Sequence, residues 1–281
     1  SVFSKNIKSI QYSADSLKAI IYFVENSSKD LYAHVAISAV DALGASKNLE
    51  SEYNQFNFNK MHSETKAQWN KMLGRMQVLD PDSKGKRIFY TALYHNLIHP
   101  SLFQDVDNRY RGMDLNIHST QAEDHFTVFS LWDTYRSTHP LYQWIYPEYN
   151  SKFIRTFLRH YQECGHLPVW ELAANETWCM IGNHSIPVIA NAFHHRVFDF
   201  DTSLAKEAIQ NTILNGNNTG IKFMTKGFIL SNEESESVSK TIENSLDFAA
   251  AASIHCNNLE KYSPDSYKNL YNPESGYYQA R

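Results

Sequence analysis

Two short apolar runs stand near the start of the chain, residues 18–26 (KAIIYFVEN) and 31–40 (LYAHVAISAV), divided by the polar Asn26, Ser27, Ser28, Lys29 and Asp30. Runs rich in Ile, Val and Tyr and bounded by turn formers predict two strands joined as a hairpin. A lone hairpin is marginal in water, so this pair needs further strands or a helical body to lie on. Near residue 45 the repeat changes from two to helical. Trp69, Met72, Leu73 and Met76 recur at helical spacing within residues 45–78, and Pro81 closes that segment. From residue 85 onward helices dominate. Phe89, Leu93 and Leu97 mark one ending at Pro100, and residues 126–144 mark a second ending before Pro147. Residues 153–161, 186–193, 204–214 and 238–255 mark four more, with Gly165, Gly182, Gly216, Gly220 and Gly227 at or between their edges. The connections 101–124 and 165–183 are too long for a simple bundle, and loops of that length are usually functional. The expected fold is mainly α, built of stacked helical hairpins whose long loops gather at one end, without an internal repeat.

Composition narrows the class. A chain of 281 residues that is 42% hydrophobic can bury an extensive core, as one large domain or a small one joined to a larger, which excludes disorder. A net charge of −4 leaves no basic footprint, so nucleic acid is not an expected partner. No apolar stretch approaches the roughly 20 residues of a membrane span, and no signal segment precedes the first strand, so a soluble chain, matured or cut, is expected. Cys164, Cys179 and Cys256 fit neither a disulfide framework nor a CxxC metal pattern. Asn26, Asn175, Asn183 and Asn217 open Asn-x-Ser/Thr sites, of which Asn175 and Asn183 fall inside the chemistry-bearing segment described next.

That segment carries two motifs, SLWDTYRSTHP (130–140) and HLPVWELAANETWCMIG (166–182). Packing alone gives little reason to set Trp132, Asp133 and Arg136 together, or Trp170, Glu171, Asn175, Glu176 and Trp178. Flat indole faces beside carboxylates and amides suit a sugar, whose C–H faces lie on rings and whose hydroxyls need polar partners once water is expelled. Asp133 and Arg136, three apart in an expected helix, would share a face. Their alternative is a surface ion pair contributing about 0.2–0.5 kcal/mol. Glu171 and Glu176 are the carboxylates available for glycosidic acid and base, although substrate contact suits them better than catalysis. In QDVDNRYRGMD (104–114), the alternating Asp105, Asp107, Arg109 and Arg111 could hold hydroxyls, hold a cation or satisfy one another. His95 and His99 have i,i+4 spacing but lack the adjoining glutamate of a zinc protease helix; with His184, His194 and His195 they read as packed or capping side chains. No GxSxG elbow and no GxxxxGK[ST] loop occurs.

With these residues in view the chain resembles glycoside hydrolase family 92, the calcium-dependent exo-acting α-mannosidases. The resemblance runs from about residue 35 to 281. It rests on AISAVDALGASKNLE (36–50), FYTALYHNLIHPSLFQDVDNRYRGMD (89–114), FTVFSLWDTYRSTHP (126–140), HLPVWELAANETWCMIGNHSIPVIANAF (166–193) and GFILSNEESESVSKTIENSLDFAAAA (227–252). It implies the end of an N-terminal β-sandwich over residues 1–44, a linker helix region over 45–84 and the N-terminal part of an (α/α)6 barrel over 85–281. It implies inverting hydrolysis of terminal α-mannose from glycans, with Trp132, Asp133, Arg136, Trp170, Glu171, Asn175 and Glu176 as substrate-binding residues. A periplasmic or secreted, bacterial enzyme of N-glycan breakdown is the implied setting. The family's general acid belongs to a Glu-Gly-Asn motif and its base to an aspartate pair near Gly-Gln-Met, and neither string occurs in these residues. No catalytic and no metal-ligating residue is therefore expected here. The acid, the base and most of the calcium ligands are expected in the remainder of a longer polypeptide, and this chain alone is not expected to release mannose. The alternative is a non-catalytic glycan-binding or scaffold protein that keeps the pocket walls.

Overall fold

The computed structural model describes the whole chain except residues 26–29, 53–55, 122, 216–223, 225–226, 257–258 and 260–261. The Asn26 and Asn217 sites, and Gly216 and Gly220, lie outside the described residues.

The chain opens with β1 (Val2–Phe3), β2 (Ile7–Tyr12), β3 (Ala19–Phe23) and β4 (Ala33–His34), which form two antiparallel ribbons. β2 pairs with β3 and β1 with β4. This corrects the expected forward hairpin between residues 18–26 and 31–40. The reason is local turn chemistry at residues 13–18. Ser13 N donates to Lys18 O at 3.0 Å, Asp15 Oδ1 accepts from Leu17 N at 3.0 Å, and Ser16 takes the left-handed φ of +58°. That Asx turn closes a short loop to the preceding run, at little entropic cost. Among the described residues no third strand joins either ribbon, and Ile7, Ile10, Tyr12, Ile20 and Tyr22 are exposed along the β2–β3 pair.

Helices follow: α1 (Ala42–Glu52), α2 (Phe58–Leu73) and α3 (Ser83–Asn96). Asn57 caps α2 by accepting from Lys60 N, and Asp82 caps α3 by accepting from Lys84 N and Gly85 N, which satisfies donors that no earlier turn can reach. The stretch 101–124, expected to be a long loop, contains β5 (Ser101–Leu102), β6 (Arg109–Arg111) and β7 (Ile117–Ser119), the last two paired. Next come β8 (Phe126–Thr127), β9 (Phe129–Ser130), the single-turn α4 (Leu131–Thr134), α5 (Thr138–Ile145) and α6 (Pro147–Cys164). The expected helix over 126–144 is therefore broken. Four of its first five residues are extended, β8 pairing with β5, and Val128 between the two strands sits at φ +69°, a conformation no helix accepts. The alternation of buried Phe126, Thr127 and Phe129 with half-buried Val128 and Ser130 had imitated a helical stripe.

The remaining elements are β10 (Trp170–Glu171), α7 (Ser185–His194), α8 (Thr202–Asn215), α9 (Ser237–Ser253) and a terminal hairpin, β11 (Tyr271–Asn272) with β12 (Tyr277–Tyr278). The described part is mainly helical, and its core centres on α6. Phe153, Ile154, Phe157, Leu158 and Tyr161 recur on one stripe of α6 and are buried against α5, α7 and α8, while α7 packs in turn on α9. Pro147 starts α6 where its missing N–H costs nothing, and Gly165 ends it in the left-handed conformation, φ +83°, its N–H reaching Tyr161 O. α2 touches this body at its end, where Tyr146 Oη donates to Met72 O at 3.0 Å and Arg75 pairs with Glu148 at 2.5 Å. Outer faces remain apolar: Leu79, Trp144, Phe58 and Ile88 are all exposed. Among the described residues no helix is long and apolar enough to cross a membrane.

Candidate sugar-binding site

The two motifs meet through a two-residue ladder. β9 pairs antiparallel with β10, placing Ser130 opposite Trp170 and Phe129 opposite Glu171. Cα atoms of such partners lie about 4.5–5.5 Å apart, so SLWDTYR and WELAANET leave one point of the fold together. A cavity of about 530 Å³ opens beside this ladder, lined by Asp133, Thr134, Thr138 and Trp170. His95 and Asn96 at the C-terminal end of α3, and His99 just beyond it, line it too. That volume lies within the range of small-ligand sites.

The individual side chains divide into two groups. Asp133 is exposed, lines the cavity and accepts a hydrogen bond from Ser130 Oγ. Arg136 does not pair with Asp133. α4 ends at Thr134, and Arg136 Nη2 instead donates to Glu243 Oε1 of α9 at 2.9 Å, its guanidinium 4.7 Å from the Tyr135 ring centre and 5.6 Å from that of Trp132. Trp132 is half-buried, and its Nε1 donates to the same oxygen at 3.3 Å. Trp170 is half-buried and lines the cavity.

Glu171, Asn175 and Glu176 face their own loop. Glu171 is 1% exposed; its carboxylate accepts from Thr127 Oγ1 at 2.8 Å, Ala174 N at 2.8 Å and Val128 N at 3.1 Å. Burial pushes its pKa up to about 7, partly offset by these donors. Glu176 accepts from Val169 N, Trp170 N and Trp178 N at 2.8, 2.9 and 3.0 Å. Asn175 Nδ2 donates to Ala173 O at 3.0 Å inside the turn that joins Leu172 to Asn175. Glu171, Asn175 and Glu176, expected as substrate contacts, with acid and base roles for the two glutamates the lesser reading, have these polar atoms engaged by Thr127 and by the backbone of their own loop. What these residues do is hold Trp170 and the positive-φ Ala173, Ala174 and Trp178 in a fixed loop.

Behind the site stand His184, which the sequence marked only as a packed or capping side chain, and Glu243 and Asp247, which sequence reasoning passed over. His184, at the N-cap of α7, is 1% exposed. Its Nδ1 donates to Asp247 Oδ1 at 2.9 Å and its Nε2 lies 3.2 Å from Glu243 Oε2. Burial alone would lower its pKa, but the two carboxylates raise it to about 9. Glu243 is correspondingly held below its ordinary value by His184. The available signal was Glu243 and Asp247 at i,i+4 on α9, which places two carboxylates on one face of a helix. His194 and His195 hydrogen-bond Ser253 Oγ and Asn191 O, as packed or capping side chains do.

Among the described residues, the charged side chains of the 104–114 loop pair within it only between Asp107 and Arg109 and otherwise reach residues 38–48 and His118. Asp105 accepts from Ser38 Oγ and Asn48 Nδ2; Asp107 pairs with Lys47 and Arg109; Arg109 reaches Asp41; Asp114 pairs with His118. Among the described residues no group of three or more His, Cys, Asp or Glu side chains is placed to hold a metal. The three cysteines are free.

Residues 44–281 match the glycosyl hydrolase family 92 catalytic domain, and the chain belongs to that family. Similar solved structures include the family GH92 α-mannosidase BT3965 from Bacteroides thetaiotaomicron, 33% identical with TM-score 0.83, covering 94% of this chain and 36% of that one. The same relative has been solved in complex with mannoimidazole (TM-score 0.82). The family GH92 inverting mannosidase BT2199 of B. thetaiotaomicron VPI-5482, 23% identical, shares the fold at TM-score 0.85 over 99% of this chain and 42% of its own. The chain thus spans well under half the length of these relatives. No curated protein matches it.

Proposed function

We propose that this chain forms part of an α-mannosidase that removes terminal α-linked mannose from glycans with inversion, and that it supplies one wall of the mannose pocket. The observation that carries this is the shared cavity of Asp133 and Trp170, brought together by the β9–β10 ladder. The mannoimidazole complex of a family relative agrees in ligand class. Within the pocket Asp133, one of whose oxygens accepts from Ser130 Oγ, keeps its other oxygen as an acceptor for sugar hydroxyls, and Trp170 offers an indole for the C–H face of a pyranose. Trp132 and Arg136 flank the same turn, while Glu171, Asn175 and Glu176 contribute by shaping the loop that carries Trp170.

Inverting hydrolysis needs an acid and a base with carboxyl groups about 6.5–9.5 Å apart. We assign both, together with the calcium ligands, to other parts of a longer polypeptide. In that reading residues 85–281 form the N-terminal part of an (α/α)6 barrel, 45–84 a linker region and 1–44 the end of a β-sandwich, in a periplasmic or secreted enzyme. The exposed apolar faces of the β2–β3 ribbon and of α2 and α3 would then be covered by neighbouring segments.

The test is mannose release by the full-length enzyme and its Asp133→Ala variant. Loss of a charged acceptor is expected to lower kcat/KM by about tenfold to a hundredfold. Unchanged kinetics in folded Asp133→Ala would remove the pocket reading. The 281-residue chain alone is expected to release no mannose. Turnover by it, abolished in Glu171→Gln or Glu176→Gln, would return catalysis to the WELAANET loop.

A further inference from the structure

α4 is only four residues long and no side chain caps its N-terminus. A single turn does not recover the cost of its own nucleation, so its direction is set by what its side chains hold. Leu131 is fully buried on one side, and on the other Trp132 and, just beyond the turn, Arg136 both donate to Oε1 of Glu243. Asp133 lies between these anchors. Whatever fixes Glu243 therefore fixes the aim of Asp133 into the cavity.

Glu243 is itself fixed from behind. His184 Nε2 lies 3.2 Å from its Oε2, and His184 Nδ1 donates to Asp247, whose side chain is fully buried and also accepts from Asn183 N at 2.6 Å. The two carboxylates stand one turn apart on α9 and hold the imidazole between them. Tyr135 closes the array, its ring stacked 4.1 Å from that of His184 at 19°. Buried charge arrays of this kind commonly cost more in desolvation than an apolar filling would, and the surrounding core already coheres through α6, α7 and α9. Orientation is what the array adds.

We propose that Glu243, oriented by His184 and Asp247, is a positioning residue for the sugar-binding turn, holding Trp132 and Arg136 and through them aiming Asp133. The proposal rests on the mannose-pocket reading above. The groups facing His184 are Glu243 and Asp247 from α9 and Tyr135 from the turn after α4, with Arg136 on the far side of Glu243. The imidazolium persists through neutral pH and is lost above about 9. Once it is lost, Glu243 keeps only its front partners and the turn loosens.

The experiment is KM and kcat against pH for hydrolysis of 4-nitrophenyl α-mannoside by the full-length enzyme, with variants Glu243→Gln, His184→Gln and Asp133→Ala. Expected for Glu243→Gln is a KM raised about tenfold or more, with kcat changed by less than about threefold. The wild-type KM should rise above about pH 9, and His184→Gln should show a raised KM without that alkaline limb. A folded Glu243→Gln enzyme with wild-type KM overturns the proposal. If that variant does not fold, the unmodified enzyme decides, and a KM flat to about pH 10 overturns it. Asp133→Ala separates the two readings. If it leaves KM unchanged, the pocket reading itself fails; if it raises KM while Glu243→Gln does not, only the positioning role falls.

Discussion

A methyl group on Gly182 would stand 2.5 Å from Nε2 of His184 and 2.6 Å from Cε1, on a backbone held at φ +80°. Two penalties therefore fall on one residue. A non-glycine side chain at positive φ costs on the order of 1–3 kcal/mol, and the clash pushes the imidazole off Asp247 and Glu243. Gly276 isolates the first penalty, since its φ is +73° and nothing lies within 4 Å of an added Cβ. Gly182→Ala is expected to cost about 2–4 kcal/mol and Gly276→Ala only the strain, read by denaturant midpoints on the two variants. Equal losses would mean that His184 moves aside freely. The sequence marked Gly182 as punctuation between helices. It could not show that the imidazole two residues on closes over it, because that contact follows from Asp247, which is 63 residues away from His184 along the chain.

At the scale of elements, the WELAANET loop behaves as a clasp. Thr127 Oγ1 donates to Glu171 and accepts from Ala173 N at 2.7 Å, so one hydroxyl joins β8 to the loop. Glu171→Ala strips acceptors from the N–H groups of Val128 and Ala174, each costing about 1–3 kcal/mol when left buried and unpaired. The expected outcome is a lower melting temperature together with protease cleavage inside residues 170–178; a variant that melts earlier but stays uncut there would assign Glu171 to the core rather than to the loop. Legibility differs sharply between elements. α6, α7, α8 and α9 were readable because a stripe at helical period, bounded by Pro147, Gly165 or Gly182, is a local signal. The 126–130 stretch was not, because its extended form is imposed by pairing with β5 and β10, partners distant in sequence. The site was half-legible for the same reason. Residue types pointed to a pocket in these two motifs, and Asp133 and Trp170 line one cavity, but nothing local distinguishes a carboxylate facing a cavity from one, such as Glu171, that folds its own loop.

Across the whole molecule, acid stability is governed by histidines kept neutral in the core. His125, His139 and His160 are each 1% exposed. Burial lowers all three, His139 to about 4 and His160 to about 3, and Arg159 Nε donates to His125 Nδ1 at 3.2 Å, which requires that ring to be uncharged. In an unfolded chain the same rings titrate near about 6.5. Below that pH the unfolded state binds more protons, so the stabilisation present at neutral pH is lost progressively as pH falls. Glu171 acts oppositely, since its pKa of about 7 lies above the unfolded value and its neutral form favours folding as pH drops. His184, raised to about 9, favours folding below neutrality and withdraws that support as pH rises towards 9. Three proton deficits against one surplus leave a net of two between about pH 4.5 and 6.5, roughly 2–3 kcal/mol of stability lost per pH unit, with the maximum near about pH 6.5–7. A melting series from about pH 5 to 9 should therefore fall on both sides, more steeply on the acid side. Replacing His139 by Gln should flatten the acid limb by about one proton, roughly 1.4 kcal/mol per pH unit. A midpoint that holds steady from pH 7 down to 5 would mean that the buried rings accept protons where they stand, and that the acid limb belongs to other groups.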